Sequence, residues 1–115
     1  MIFVFGSNLA GRHGKGAAKF ALDNHGAIYG QGEGFQGNSY AIPTKDENLK
    51  PLPLQRIDWS IRDFTSFALE NPRDHFALTP IGCGLAGNKK RDIWAMLKSY
   101  SIPCNVYLTS TWVTE

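Results

Sequence analysis

The 115-residue sequence has little cysteine, little net charge and no long apolar run. Its two cysteines, Cys83 and Cys104, have no second Cys or His at metal-ligand spacing, which argues against a zinc site. Each sits beside an expected buried strand end, and no secretory signal is seen. Both are therefore read as buried free thiols rather than as a disulfide. A net charge of +2 is too small to argue for nucleic acid or an acidic membrane surface. The apolar stretches fall far short of a membrane span. The chain enters a strand-like run at Met1, without a basic segment or a small-residue cleavage site, so the expected location is cytoplasmic. There is no Gly-Lys-Ser/Thr of a Walker loop, and the spacing from Gly11 to Gly16 does not fit the dinucleotide fingerprint. Internal repeats and low-complexity tracts are also missing. The sequence asks for no metal and no organic cofactor.

What it does have is glycine, unevenly placed. Nine of the twelve lie between Gly6 and Gly37, a clustering that suits ligand-shaped loops, since a core gains nothing from it. The length gives one domain over 1–115, and 43% apolar with 19% charged residues suits an ordinary globular core.

Periodicity and punctuation predict an alternation of strands and helices. The apolar run 1–5 is a strand, and 16–24 a helix with a small face of Ala17 and Ala21, stopped at Gly26. A short strand is expected over 27–29. The alternating glycines of 30–37 make a helix implausible and predict a flexible loop whose Gln31, Glu33, Phe35 and Gln36 can reach a ligand, or else a plain surface connection with polar tips. A strand over 39–43 ends at Pro43. Leu54, Ile57, Ile61, Phe64 and Ala68 form the apolar stripe of a second helix, with Asp58 and Arg62 four apart on another face, and Asn71-Pro72 stops it. A strand over 75–80 leads into Ile81-Gly82-Cys83-Gly84-Leu85-Ala86-Gly87. Asp92 marks the start of a third helix that buries Ile93, Met96, Leu97 and Tyr100, and 104–108 is the last strand. This order predicts an α/β domain with a largely parallel sheet covered on both faces.

Two strands thus end in glycine loops that open onto helices. In open α/β sheets, ligands bind where such loops gather at the strands' carboxyl ends. Bare backbone N–H groups and a helix N-terminus favour an anion there, and two facing loops can grip a diphosphate. Gly14, Lys15, Gly16 and Ala17 form one jaw. Gly82, Cys83, Gly84, Leu85, Ala86 and Gly87 form the other.

These segments resemble the macrodomains, which bind ADP-ribose and in some members hydrolyse its derivatives. Ile81-Gly82-Cys83-Gly84-Leu85 looks like the phosphate loop of the subgroup acting on ADP-ribosyl esters or ADP-ribose phosphate. Gly14-Lys15-Gly16-Ala17-Ala18 is similar to that subgroup's first loop, and Tyr40-Ala41-Ile42-Pro43-Thr44-Lys45 to its middle strand. The resemblance implies a compact three-layer α/β/α fold with a mixed, largely parallel sheet. It implies an ADP-ribose-type nucleotide as ligand, free or carried on an ADP-ribosylated macromolecule. It places Asn8 near the distal ribose, Lys45 at the active lysine, and the N–H groups of residues 82–85 on the phosphates. The sequence departs from the subgroup at Ala86, where an aspartate serves as the lysine's proton acceptor.

Plainer readings stand beside these. Lys45 can be a solvated lysine next to Asp46 and Glu47. His13 can be an acid or base in the first loop, or an exposed loop histidine without duty. Cys83 is read as a small residue filling a tight turn. A non-catalytic reader of an ADP-ribose-type signal is the alternative function. A nucleic-acid partner held by Arg12, Lys15, Lys19 and Lys89-Lys90-Arg91 is the lesser one.

Overall fold

The computed structural model describes residues 1–84 and 86–113. Its elements run β1 (Ile2–Asn8), α1 (Gly16–Asn24), β2 (Gly34–Gln36), β3 (Ser39–Lys45), α2 (Leu54–Glu70), β4 (Phe76–Leu78), α3 (Lys90–Ser99) and β5 (Val106–Leu108), then a 3-10 turn at Ser110–Trp112. The strands form one sheet in the order β2-β3-β1-β4-β5. β1 is parallel to both β3 and β4, β4 is parallel to β5, and only β2 runs antiparallel, along β3.

Alternation along the strands divides the core in two. Ile2, Val4, Tyr40, Ile42, Phe76 and Leu78 point to one face and meet Ile57, Ile61, Phe64 and Ala68 of α2 and Ile93 and Leu97 of α3. Phe5 and Ala41 point to the other face and meet Ala18 and Ala21 of α1. The result is the expected three-layer α/β/α arrangement with a mixed sheet.

α2 follows its stripe, except that Leu54 at its first position is 44% exposed. Asp58 does not pair with Arg62. It accepts the Tyr100 hydroxyl at 2.8 Å and so ties α2 to α3, while Arg62 reaches Asp63 at 3.4 Å. α1 stops at Gly26 as expected, because its φ of +70° suits the turn in which Ala27 N–H returns to Ala21 O.

Several boundaries differ from the expectation. The segment 27–29 is not a strand: Ala27 N–H closes the helix end, and Ile28 N–H is taken by Gln36 Oε1 at 2.8 Å. Residues 34–36 are a strand rather than a flexible loop, paired Gly34↔Ala41, Phe35↔Tyr40 and Gln36↔Ser39. β1 continues through Gly6 and Ser7 to Asn8, so the first loop begins later than the glycines suggest. β3 passes Pro43 and ends at Lys45, since the pairing with β1 shifts register next to Ser7↔Pro43, an irregularity that tolerates a missing N–H. At the other end, the Asn105 amide donates to the carbonyls of Ala68, Asn71 and Asp74 at 3.0–3.1 Å. β5 therefore starts only at Val106, and Cys104 is exposed rather than buried.

Phe64 meets Tyr40 and Phe76 edge-on at ring distances of 5.2 and 5.6 Å. Phe64→Ala is expected to cost about 3–5 kcal/mol in a urea unfolding titration. Tyr40 has its phenol pushed up to about 12, by burial first and then by the charges of Glu33 and Asp63. An unfolded tyrosine ionises near about 10. Tyr40 should therefore contribute its full stability below about pH 10 and lose it as pH rises through about 12. Tyr40→Phe should flatten that part of an alkaline stability profile.

Candidate ligand-binding cleft

Because β1, β3 and β4 are parallel neighbours, Asn8, Lys45 and the segment after Leu78 emerge at one edge of the sheet. A cleft of about 1000 Å3 opens there. Gly14, Lys15, Gly16 and Ala17 line it from the first loop and the start of α1. Gly82, Cys83, Gly84 and Ala86 line it from the second loop, with Asn8 and Lys45 between them. The two glycine loops expected to face each other share this one cavity. Leu85 lies outside the described residues. Gly87 is not on the wall; its N–H returns to Gly84 O at 3.0 Å and closes the turn.

Bare backbone brings the walls together. A Cβ at Gly6 would stand 3.1 Å from Gly82 N, so glycine lets β1 approach the second loop. Gly82 has a φ of +70°, and a side chain there would press on Thr44 and Asn88. Gly14 and Gly84 differ: neither has a positive φ, and a Cβ on either meets nothing within 4 Å. Both face the cleft, so their bareness clears space for something other than the protein itself.

The loop's N–H groups divide into two sets. Those of Ile81, Cys83, Gly87 and Asn88 are spent on Thr79, Pro80, Gly84 and Gly82 carbonyls. Those of Gly82, Gly84 and Ala86 meet no acceptor among the described residues. Cys83, expected to offer its N–H to a phosphate, is thus already committed at 3.2 Å. Across the cleft, α1 begins at Gly16 with no side-chain cap, which leaves its first-turn N–H groups open as helix geometry requires.

The charge on the walls has one sign. Arg12, Lys15, Lys45 and Lys90 line the cleft, and no Asp or Glu does among the described residues. Lys90 Nζ also donates to Thr111 O at 2.6 Å. Three carboxylates that could serve Lys45 as a proton acceptor lie elsewhere. Asp46 accepts the N–H groups of Asn48 and Lys50, Glu33 is bound to Arg56 and Ser60 of α2, and Asp92 belongs to the first turn of α3. Ala86 stands on the wall where the resemblance implies an aspartate.

Four residues named from the sequence have other surroundings. Glu33 holds β2 to α2 through Arg56 at 3.1 Å and Ser60 at 2.7 Å. Phe35 stacks on Phe67 with ring centres 5.5 Å apart. Neither lines the cleft. His13 is fully buried rather than an exposed loop histidine: its Nε2 faces Gln31 O at 3.0 Å and Gln36 Oε1 at 3.3 Å, and its ring edge meets Phe5. Both oxygens facing Nε2 can only accept, so Nε2 carries the proton, and Nδ1 meets no partner among the described residues. Asn8 lines the cleft, but its amide oxygen accepts Arg12 N–H at 2.9 Å and its nitrogen donates to Arg12 O at 3.0 Å.

The sequence reading missed much of the wall. Arg12 and Lys90 were visible only as members of basic groups. Phe3, Phe20 and Tyr29 add apolar surface to the lining, and Thr109 and Thr111 also line it. Thr109 and Thr111 reach the site because β5 lies beside β4, a pairing that no local pattern encodes.

Cys83 donates weakly to Ile81 O at 3.4 Å, and burial raises its thiol pKa against the opposing pull of Lys90. It is a poor nucleophile at neutral pH. In alkylation at pH 7.5 followed by peptide mass analysis, exposed Cys104 should be modified well before half-buried Cys83.

No family model and no curated protein matches the chain in sequence. Solved structures do match in shape. The macrodomain of Mycobacterium tuberculosis DarG superposes with a TM-score of 0.70 at 21% identity, over 93% of this chain and 86% of that one. A protein of unknown function from Bacteroides thetaiotaomicron gives 0.62 at 18% identity, over 94% and 88%. A further Bacteroides thetaiotaomicron protein gives 0.58 at 18%, over 94% and 90%. What the chain shares with these proteins is a fold, and for the first of them that fold is a macrodomain.

Proposed function

We propose that the cleft binds ADP-ribose or a close derivative, with its diphosphate between the two glycine loops. One observation carries this reading: Gly82, Gly84 and Ala86, whose N–H groups meet no acceptor among the described residues, and the uncapped start of α1 line one cavity whose charged walls, among the described residues, are all cationic. Oriented N–H groups of this kind suit phosphate oxygens. The macrodomain fold supports the choice of nucleotide.

The same walls favour a reader over a hydrolase. A lysine nucleophile needs a base to take its proton, and no carboxylate shares the cleft with Lys45 among the described residues. His13 does not supply one, because it is fully buried against Gln31, Gln36 and Phe5 and does not line the cleft. In this reading Lys45, with Lys15, acts as a fixed charge toward the ligand. The signal read can be free ADP-ribose or the same group on a macromolecule. Turnover of ADP-ribosyl esters or of ADP-ribose phosphate through Lys45 is the second reading, favoured only by the position of Lys45 at the end of β3.

A thermal-shift series with ADP-ribose, AMP, NAD and ATP tests the reading. Ligand at about 100 times its dissociation constant should add roughly 2.7 kcal/mol of stability, with ADP-ribose the most effective. Gly84→Glu should fold normally, since its side chain meets open space, and should lose the shift. A shift retained by Gly84→Glu would overturn the phosphate assignment. Binding that collapses steeply with salt and prefers oligonucleotides would point instead to the nucleic-acid reading. Release of phosphate from ADP-ribose phosphate by purified protein would replace the reader with the hydrolase.

A further inference from the structure

Asn8 stands on the cleft wall, yet its side chain is turned into the protein. It is 6% exposed. Its amide accepts and donates to the backbone of one residue, Arg12, at 2.9 and 3.0 Å, as a neighbouring strand would. Its own carbonyl takes Gly11 N–H at 2.9 Å. One asparagine thus closes the turn from Leu9 to Arg12 at three points.

The outer side of this turn is held as well. Gly30 N–H donates to Gly11 O at 2.8 Å, and a Cβ on Gly11 would lie 2.4 Å from Gln31 N. His13 is pegged beneath by Gln31 and Gln36. Immediately downstream the restraint ends: Gly14 has open space around it, and Lys15 caps α1 with no side-chain hydrogen bond. The direction in which Gly16, Ala17 and Ala18 present their N–H groups is therefore set upstream, where Asn8 fixes Arg12.

We infer that Asn8 is a positioning residue: it aims the first anion-binding loop by clamping the Arg12 backbone, and it does not read the ligand's distal sugar. This rests on the ligand proposed above and departs from the role that the macrodomain resemblance implies for this asparagine.

Affinities for ADP and ADP-ribose separate the two roles, because ADP has the diphosphate and lacks the distal ribose. Loss of the two hydrogen bonds from the Asn8 side chain to the Arg12 backbone in Asn8→Ala should weaken both ligands by about tenfold. Their affinity ratio should stay within about twofold of the wild-type ratio. Arg12→Ala keeps the clamped backbone, so in that background Asn8→Ala should cost the same factor. A loss at least tenfold larger for ADP-ribose than for ADP would overturn the inference, and so would unchanged affinity for both. Amide hydrogen exchange judges the clamp without ligand. Arg12 N–H should be protected in the wild type and exchange freely in Asn8→Ala, with the amides of β1 still slow. An Arg12 amide unprotected in the wild type would refute the clamp. Wild-type protein that binds neither nucleotide would refute the ligand reading alone, and the exchange result would still decide the role of Asn8.

Discussion

The structure depends on the placement of β1 between two parallel neighbours. With β3 on one side and β4 on the other, three chain segments leave the sheet at the same edge. A one-sided arrangement of this kind concentrates loops, and here two of those loops have little but backbone to present. Gly6 lets the central strand approach the second loop, since a Cβ there would stand 3.1 Å from Gly82 N. Fold and cleft are therefore one constraint: the central strand buries Val4 and Phe5 on opposite faces and then yields a bare position where the second loop must pass.

Charge and bareness act together in the cleft. Helix start and loop supply directional N–H groups, and lysine and arginine side chains supply non-directional attraction. The carboxylates near Lys45 or the loops in sequence stand off the wall: Glu33 ties the edge hairpin to α2, Asp46 shapes the turn after β3, and Asp92 lies in the first turn of α3. An anion entering the cleft meets no carboxylate to repel it among the described residues. The same distribution leaves Lys45 with no carboxylate on the cleft wall beside it among the described residues.

The layers were legible in the sequence because their signals are local. The 3–4 spacing of Ile57, Ile61, Phe64 and Ala68, the stop at Gly26 and the apolar start of β1 each report the face that is buried. That the two glycine loops line one cavity was legible too, since it follows from where parallel strands end. What the sequence hid was long-range. Residues 34–36 form a strand because Gly34, Phe35 and Gln36 find partners on β3, and the Gln36 amide then serves His13, Ile28 and Gln31. Nothing adjacent to His13 signals that Gln36 will bury it. Phe35 invited a ligand role because its partner, Phe67, lies on a helix far along the chain. Asn8 was legible as a site residue, but the direction of its amide was not.

The most direct measurement of the central claim is a backbone-amide NMR titration with ADP-ribose. The account expects the signals of Gly16, Ala17, Gly82, Gly84 and Ala86 to move together along one binding isotherm, with the 34–39 hairpin unmoved. Movement confined to one loop, or gathered at the hairpin or the 89–91 basic run while Gly82 and Gly84 stay still, would contradict it.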